Sequence, residues 1–201
     1  MYRMIFMRSF IIYLLIFFSL QSWSKADDLK DFDIDGVSIG ESLLNYTSKS
    51  LIESKSKNYY PNSKEYYLLE FDSNELSFLE TYSYIGVHIK KDDNKFLLAS
   101  IKGMIVYENN FESCLDQKKI VVDSIKGTLL NSKEEKYTNN FNNLYGMSKA
   151  YISDFKVKDG FIRIWCTNWD NETEDKQGWM DTLNVDLSSQ IFLDWLNTKA
   201  Y

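Results

Sequence analysis

Residues 150–168 read AYISDFKVKDGFIRIWCTN, and the way this stretch turns decides the fold. Two runs rich in β-branched and aromatic residues, 150–157 and 161–168, flank Lys158-Asp159-Gly160. Asp-Gly between such runs is a strong short-range hairpin signal, because both residues tolerate the positive φ that a tight reversal needs. In the second run Ile162, Ile164 and Cys166 alternate with Phe161, Arg163 and Trp165. Period-two alternation gives a strand one apolar face and one mixed face. The expectation is an antiparallel pair with one side buried.

Working outward, the pattern recurs. Segments 66–71, 82–90 and 96–107 are aromatic and β-branched, and Lys91-Asp92-Asp93-Asn94-Lys95 reads as a second hairpin connection. In 82–90 Ile85, Val87 and Ile89 oppose Tyr82, Tyr84, His88 and Lys90. Residues 181–187 alternate as a sixth strand. Asn110 can start a helix in which Leu115, Ile120, Val121, Ile125 and Leu129 recur at helical spacing, with Cys114 in its first turn. A polar helix fits 48–56, and Ser188 caps a short last helix through Ile191, Phe192, Trp195 and Leu196. Residues 131–143 show no periodicity and read as a polar loop. The predicted class is α+β: an antiparallel sheet with helices packed on one face, arranged as two helix-then-strands units.

The chain starts with Arg3 and Arg8, an apolar run over 9–20, and Ser24-Lys25-Ala26. This is the pattern of a secretory signal peptide cleaved after Ala26, leaving a single α+β domain over 27–201. The apolar run is too short for a span of roughly 20 residues, so no stable membrane insertion is expected after cleavage. Removal of Arg3, Arg8 and Lys25 moves the formal charge from −6 to −9. An acidic chain lacks the basic face that nucleic acid requires. In an exported chain Cys114 and Cys166 are expected to bridge, placing the protein in the periplasm or outside the cell.

Residues 31–46, DFDIDGVSIGESLLNY, invite three chemical readings. A calcium loop from Asp31 fails at its eighth and twelfth positions, both serine. Gly36-x-Ser38-x-Gly40 resembles a nucleophile elbow, but the segment before it is too polar for a central strand. Gly40-Glu41-Ser42-Leu43 resembles GDSL-type esterases, yet nothing after His88, the one histidine, can supply their base. The reading that remains is a strand turning into a helix, with Ser38 and Glu41 as a capping box.

Two site expectations follow. The mixed sheet face gathers Tyr82, Tyr84, His88, Lys90, Arg163 and Trp165, a set suited to another envelope protein or a glycan. The acidic segment with Asp170, Glu172, Glu174 and Asp175 reads as a hairpin tip able to hold a hard cation. No cofactor is implied. The function expected is a non-enzymatic exported binding or protein-interaction module; the alternative is an envelope enzyme using carboxylates, or a calcium-binding protein.

The run FDIDGVSIGESLLNY, the Cys114 helix, Ile164-Trp165-Cys166 and FLDWL at 192–196 together resemble a group of small exported proteins of AT-rich marine bacteria. That resemblance implies export and no particular activity. The order of elements is also similar to β-lactamase-inhibitor-like tandem α+β modules, which implies a protein-binding role and assigns no residue.

Overall fold

The computed structural model describes residues 28–108, 110–129, 133–141 and 144–201; the signal-peptide reading of 1–26 lies outside them. The central hairpin forms as its alternation predicts. Strands β8 (Lys149–Val157) and β9 (Gly160–Asn168) pair antiparallel from Val157↔Gly160 outward, and Asp159 takes φ 62° at the turn. Gly160 itself does not take a positive φ; it is required for space. A Cβ on it would sit 2.6 Å from the Ser188 carbonyl and 2.4 Å from the Leu29 side chain.

The other strands are β1 (Asp33–Ile34), β2 (Val37–Ser38), β3 (Asn58–Tyr59), β4 (Tyr66–Asp72), β5 (Tyr84–Lys90), β6 (Leu98–Tyr107), β7 (Glu134–Asn140) and β10 (Asp181–Ser189). The helices are α1 (Lys49–Ser54), α2 (Phe111–Thr128), α3 (Asn171–Gln177) and α4 (Gln190–Trp195). Eight strands form one sheet in the order β3-β4-β5-β6-β10-β9-β8-β7, and every neighbouring pair is antiparallel. The fold is α+β. Two four-strand meanders, each preceded by a helix, meet where β6 pairs with β10. After β6, α2 carries the chain to the far edge, and β7 to β10 wind back to the centre.

Alternation then builds the core. Ile85, Val87 and Ile89, Ile162, Ile164 and Cys166, and Leu183, Val185 and Leu187 are buried on one face of the sheet. Helix α2 packs there through Cys114, Val122, Ile125 and, just past its end, Leu129. This stripe differs from the expected one, since Ile120 is 62% exposed. The stripe passes through Lys118, whose ammonium reaches the Ser153 hydroxyl at 2.6 Å, so a long side chain lies where an aliphatic residue would be looked for. The disulfide Cys114–Cys166 fastens the first turn of α2 to β9, with Cα atoms 6.1 Å apart.

Three expectations need correction. Residues 31–46 are a small hairpin, β1-β2, followed by a 3₁₀ turn at Leu43–Asn45, not a strand entering an α-helix. Only half of the capping box forms: Glu41 accepts from the Ser38 N–H at 3.3 Å, while the cap is Ser42, accepting from Leu44 N–H. The hairpin is pinned by Asp35, whose carboxylate accepts from the N–H groups of Glu80, Thr81 and Tyr82 at 3.0, 2.9 and 3.3 Å. The polar stretch within 131–143 contains the edge strand β7. The acidic segment is the helix α3, capped by Asp170 and stopped by Gly178 in the left-handed region, not a hairpin tip.

Candidate functional site

On the second sheet face, the cross-strand register sets polar side chains in rows. One row runs His88, Ser100, Ser188, Phe161, Lys156 across β5, β6, β10, β9 and β8. The next runs Gly86, Lys102, Asp186, Arg163, Asp154 across the same strands. A third holds Tyr84, Met104, Asn184, Trp165 and Ile152. Of the expected set, Tyr84, His88, Lys90, Arg163 and Trp165 belong to this side.

Tyr82 does not. Its ring occupies the space over Gly103, where a Cβ would come within 2.5 Å, and Gly103 is paired with Ile85 and Val185 on the face that α2 covers. The residue precedes β5, so strand alternation does not govern it. His88 is a second correction: it is covered, not displayed. Helix α4 folds over this corner of the face, burying Phe192 and Trp195 against Tyr66, with Tyr60, Ala99 and Leu196 around them. The imidazole stacks near Phe192, and its Nε2 lies 2.8 Å from the Tyr60 hydroxyl. Its Nδ1 is buried without a hydrogen-bond partner. Burial, with the charge of Lys102 adding to it, lowers the His88 pKa to about 3, so the ring is neutral at ordinary pH.

Between α4 and the first two rows lies a half-open cavity of about 430 Å³. Its floor is His88, Ser188, Phe161 and Lys156, with Asp186 and Arg163 behind. Its wall is Phe192, Leu193, Leu196 and Asn197, with Gln190 and Tyr60 at the margins. The volume is within the range of small-molecule sites. A smaller cavity of about 290 Å³ lies over Gly86, bordered by Glu70, Tyr84, Lys102 and Met104. Lys90 stands apart, 3.5 Å from Glu65.

Arg163 is locked in place. Its Nε and Nη2 donate to the two oxygens of Asp154 at 2.8 and 2.9 Å, and Nη2 also donates to the Tyr137 hydroxyl at 2.9 Å. Asp154 raises the guanidinium above its ordinary value. The side chain lies over the Phe161 ring, 5.3 Å from its centroid. Asp186 sits between Lys102 and Arg163. Burial pushes its carboxyl upward despite the Ser188 hydroxyl, which donates to it at 2.5 Å, and despite both cations. Ser188 Oγ is also 3.0 Å from Ser100 Oγ.

Comparison with protein-family models, curated proteins and solved structures returns no match. Ser188, Asp186 and His88 line one cavity, but they do not form a nucleophile with its base. Ser188 directs its proton to a carboxylate, and neither nitrogen of His88 is bonded to a serine. Ser42 donates to the Lys95 carbonyl at 2.6 Å, and neither it nor Ser38 is bonded to His88.

The carboxylates of the acidic segment serve α3. Asp170 accepts from Thr173 N–H at 2.8 Å and from Met147 N–H, which together pull its carboxyl below the usual range. Glu172 pairs with Lys176 one turn on, and burial raises Glu174. Among the described residues, no group of three His, Cys, Asp or Glu side chains is placed to hold a metal ion.

The cavity adds residues that the sequence expectation left out: Tyr60, Lys156, Phe161, Asp186, Ser188, Phe192 and Leu193. A signal existed for Asp186, because the alternation of 181–187 sets it on one side with Thr182 and Asn184. For the α4 wall there was none, since its apolar residues read as ordinary core.

Proposed function

We propose that this chain is an exported, non-enzymatic binding module that holds a small ligand in the cavity between α4 and the second sheet face. One observation carries the reading: a walled, half-open space of about 430 Å³ where Arg163, Asp186 and Ser188 on the sheet lie opposite Phe192 and Leu193 on α4, with no serine bonded to His88. A few placed polar groups against apolar walls give orientation and affinity without bond breaking. One fact supports export: the Cys114–Cys166 bridge fits an oxidising compartment. The cavity favours a small ligand over a protein partner.

The test is a fragment screen by thermal shift against the wild type and Leu193→Trp, which fills the cavity from its half-buried α4 wall. Hits that raise the wild-type midpoint and lose their effect in Leu193→Trp support the reading. Hits that act equally on both proteins overturn it.

A further inference from the structure

We infer that the β7 edge of the sheet pairs with the β7 edge of a second copy of this chain, antiparallel about a twofold axis at Tyr137, joining two sheets into one. The pairing goes beyond the α4 cavity and does not depend on it.

The two edges of the sheet differ. On one side the sheet ends in β3, two residues long, with Pro61 shortly after it. An edge that short and followed by proline offers little to another strand. On the other side it ends in β7, seven residues paired with β8 along their whole length in unbroken register. Among the described residues, no strand pairs with its outer side. A long, regular, open edge is a template for a further strand.

The hydrogen-bonding phase of β7 fits its own copy. Phe141 N–H donates to the Ser148 carbonyl at 3.0 Å, so 141 and 148 are a hydrogen-bonded pair. Such pairs alternate along an antiparallel ladder. Residues 139, 137 and 135 therefore bond inward to β8, while Glu134, Lys136, Thr138 and Asn140 turn their N–H and C=O groups outward. A twofold pairing centred on Tyr137 sets Glu134 opposite Asn140 of the second copy and Lys136 opposite Thr138. Every outward residue then meets an outward residue, giving roughly eight backbone hydrogen bonds.

The side chains select the same register. Glu135 faces Asn139, Tyr137 faces its own copy, and no charge faces its like. Centring on Lys136 would set two ammonium groups opposite one another, and centring on Glu135 two carboxylates. Moving the centre to Thr138 shortens the pairing. The charges that deter indiscriminate strand pairing at this edge are thus matched to a copy of themselves. Tyr137 is held in place beforehand: its hydroxyl donates to Asp154 at 2.9 Å and accepts from Arg163 Nη2 at 2.9 Å, while the residue stays 44% exposed. Two such rings meet across the axis with little freedom left to lose.

Sedimentation velocity on the purified, disulfide-bonded protein, from about 1 to about 300 μM, tests the inference; a monomer–dimer equilibrium is expected in that range. Thr138 is exposed, so Thr138→Lys should leave the melting midpoint at the lowest concentration unchanged. It sets an ammonium opposite Lys136 twice per dimer and should weaken association about tenfold or more. The register has its own check. Glu135→Cys and Asn139→Cys, made separately and mixed under mild oxidation, should cross-link with each other and neither with itself, because only unlike positions face one another across the axis. A wild type that stays monomeric throughout leaves the edge to a foreign strand and overturns the inference. So does a dimer that survives Thr138→Lys, a mixture that fails to cross-link, or either cysteine variant cross-linking with itself.

Discussion

The rings of His88 and Phe192 lie 4.5 Å apart, at 33° to one another, so the last helix closes over the chain's one histidine. The contact defines one end of the cavity and sets the protonation state of the imidazole.

Acid sensitivity follows from that cover. The folded-state value of about 3 lies far below the unfolded value near 6.5. Such a base gives stability that is complete above 6.5 and is lost as pH falls toward 3, because the unfolded chain takes up a proton that the folded one refuses. The slope is about 1.4 kcal/mol per pH unit. Between pH 7 and 5 the wild type should lose roughly 2 kcal/mol more than His88→Gln, whose amide can still meet Tyr60 and does not titrate. Urea unfolding of both proteins at the two pH values checks this; equal losses would contradict it.

Asp186 carries the opposite sign. Its carboxyl is raised by burial, so the stability it contributes belongs to the protonated form, present at low pH and lost as pH rises through the folded value. Asp186→Asn keeps an acceptor for the Ser188 hydroxyl and cannot ionise. It should stabilise the protein at pH 7 and leave its stability unchanged at pH 3. Melting curves at the two pH values decide.

Asp35 anchors the N-terminal hairpin. Three backbone N–H groups converge on its carboxylate, and its own φ is 48°. Asp35→Ala should cost about 2–3 kcal/mol, from the loss of three hydrogen bonds to a carboxylate and of a side chain that tolerates the left-handed region better than alanine does. Asp33→Ala removes one bond, to Gly36 N–H at 2.7 Å, and should cost about 1 kcal/mol. The order of the two in chemical denaturation is the check.

Cys114 and Cys166 close a loop with a sequence separation of 52. The joint change Cys114→Ala with Cys166→Ala should lower the unfolding free energy by about 4 kcal/mol on the chain-entropy account. The untreated wild type should show no thiol reactive to Ellman's reagent after denaturation.

The paired meanders were legible because each central strand is buried on one side, and alternation is the direct record of that. Strand β7 was not. Its sequence, EEKYTNN, belongs to a sheet edge where nearly every side chain is exposed, and exposure leaves no periodicity. Helix α3 was hidden for a related reason: seven polar residues carry no apolar stripe, and only the Asp170 cap and Gly178 mark its ends. The site was half visible. Alternation put Arg163, Trp165, Tyr84 and His88 on one side of the sheet. That α4 folds over His88 and leaves Trp165 beyond the cavity is a tertiary outcome that neither segment encodes locally.

The most direct measurement is the ring resonance of His88, followed by NMR at pH 7 during titration with the fragment that most raises the wild-type melting midpoint. One histidine gives one Hε1 signal, and it comes from the floor of the cavity. The account predicts a saturable shift in the wild type that disappears in Leu193→Trp. A signal that stays still while calorimetry reports binding would place the ligand elsewhere and contradict the account.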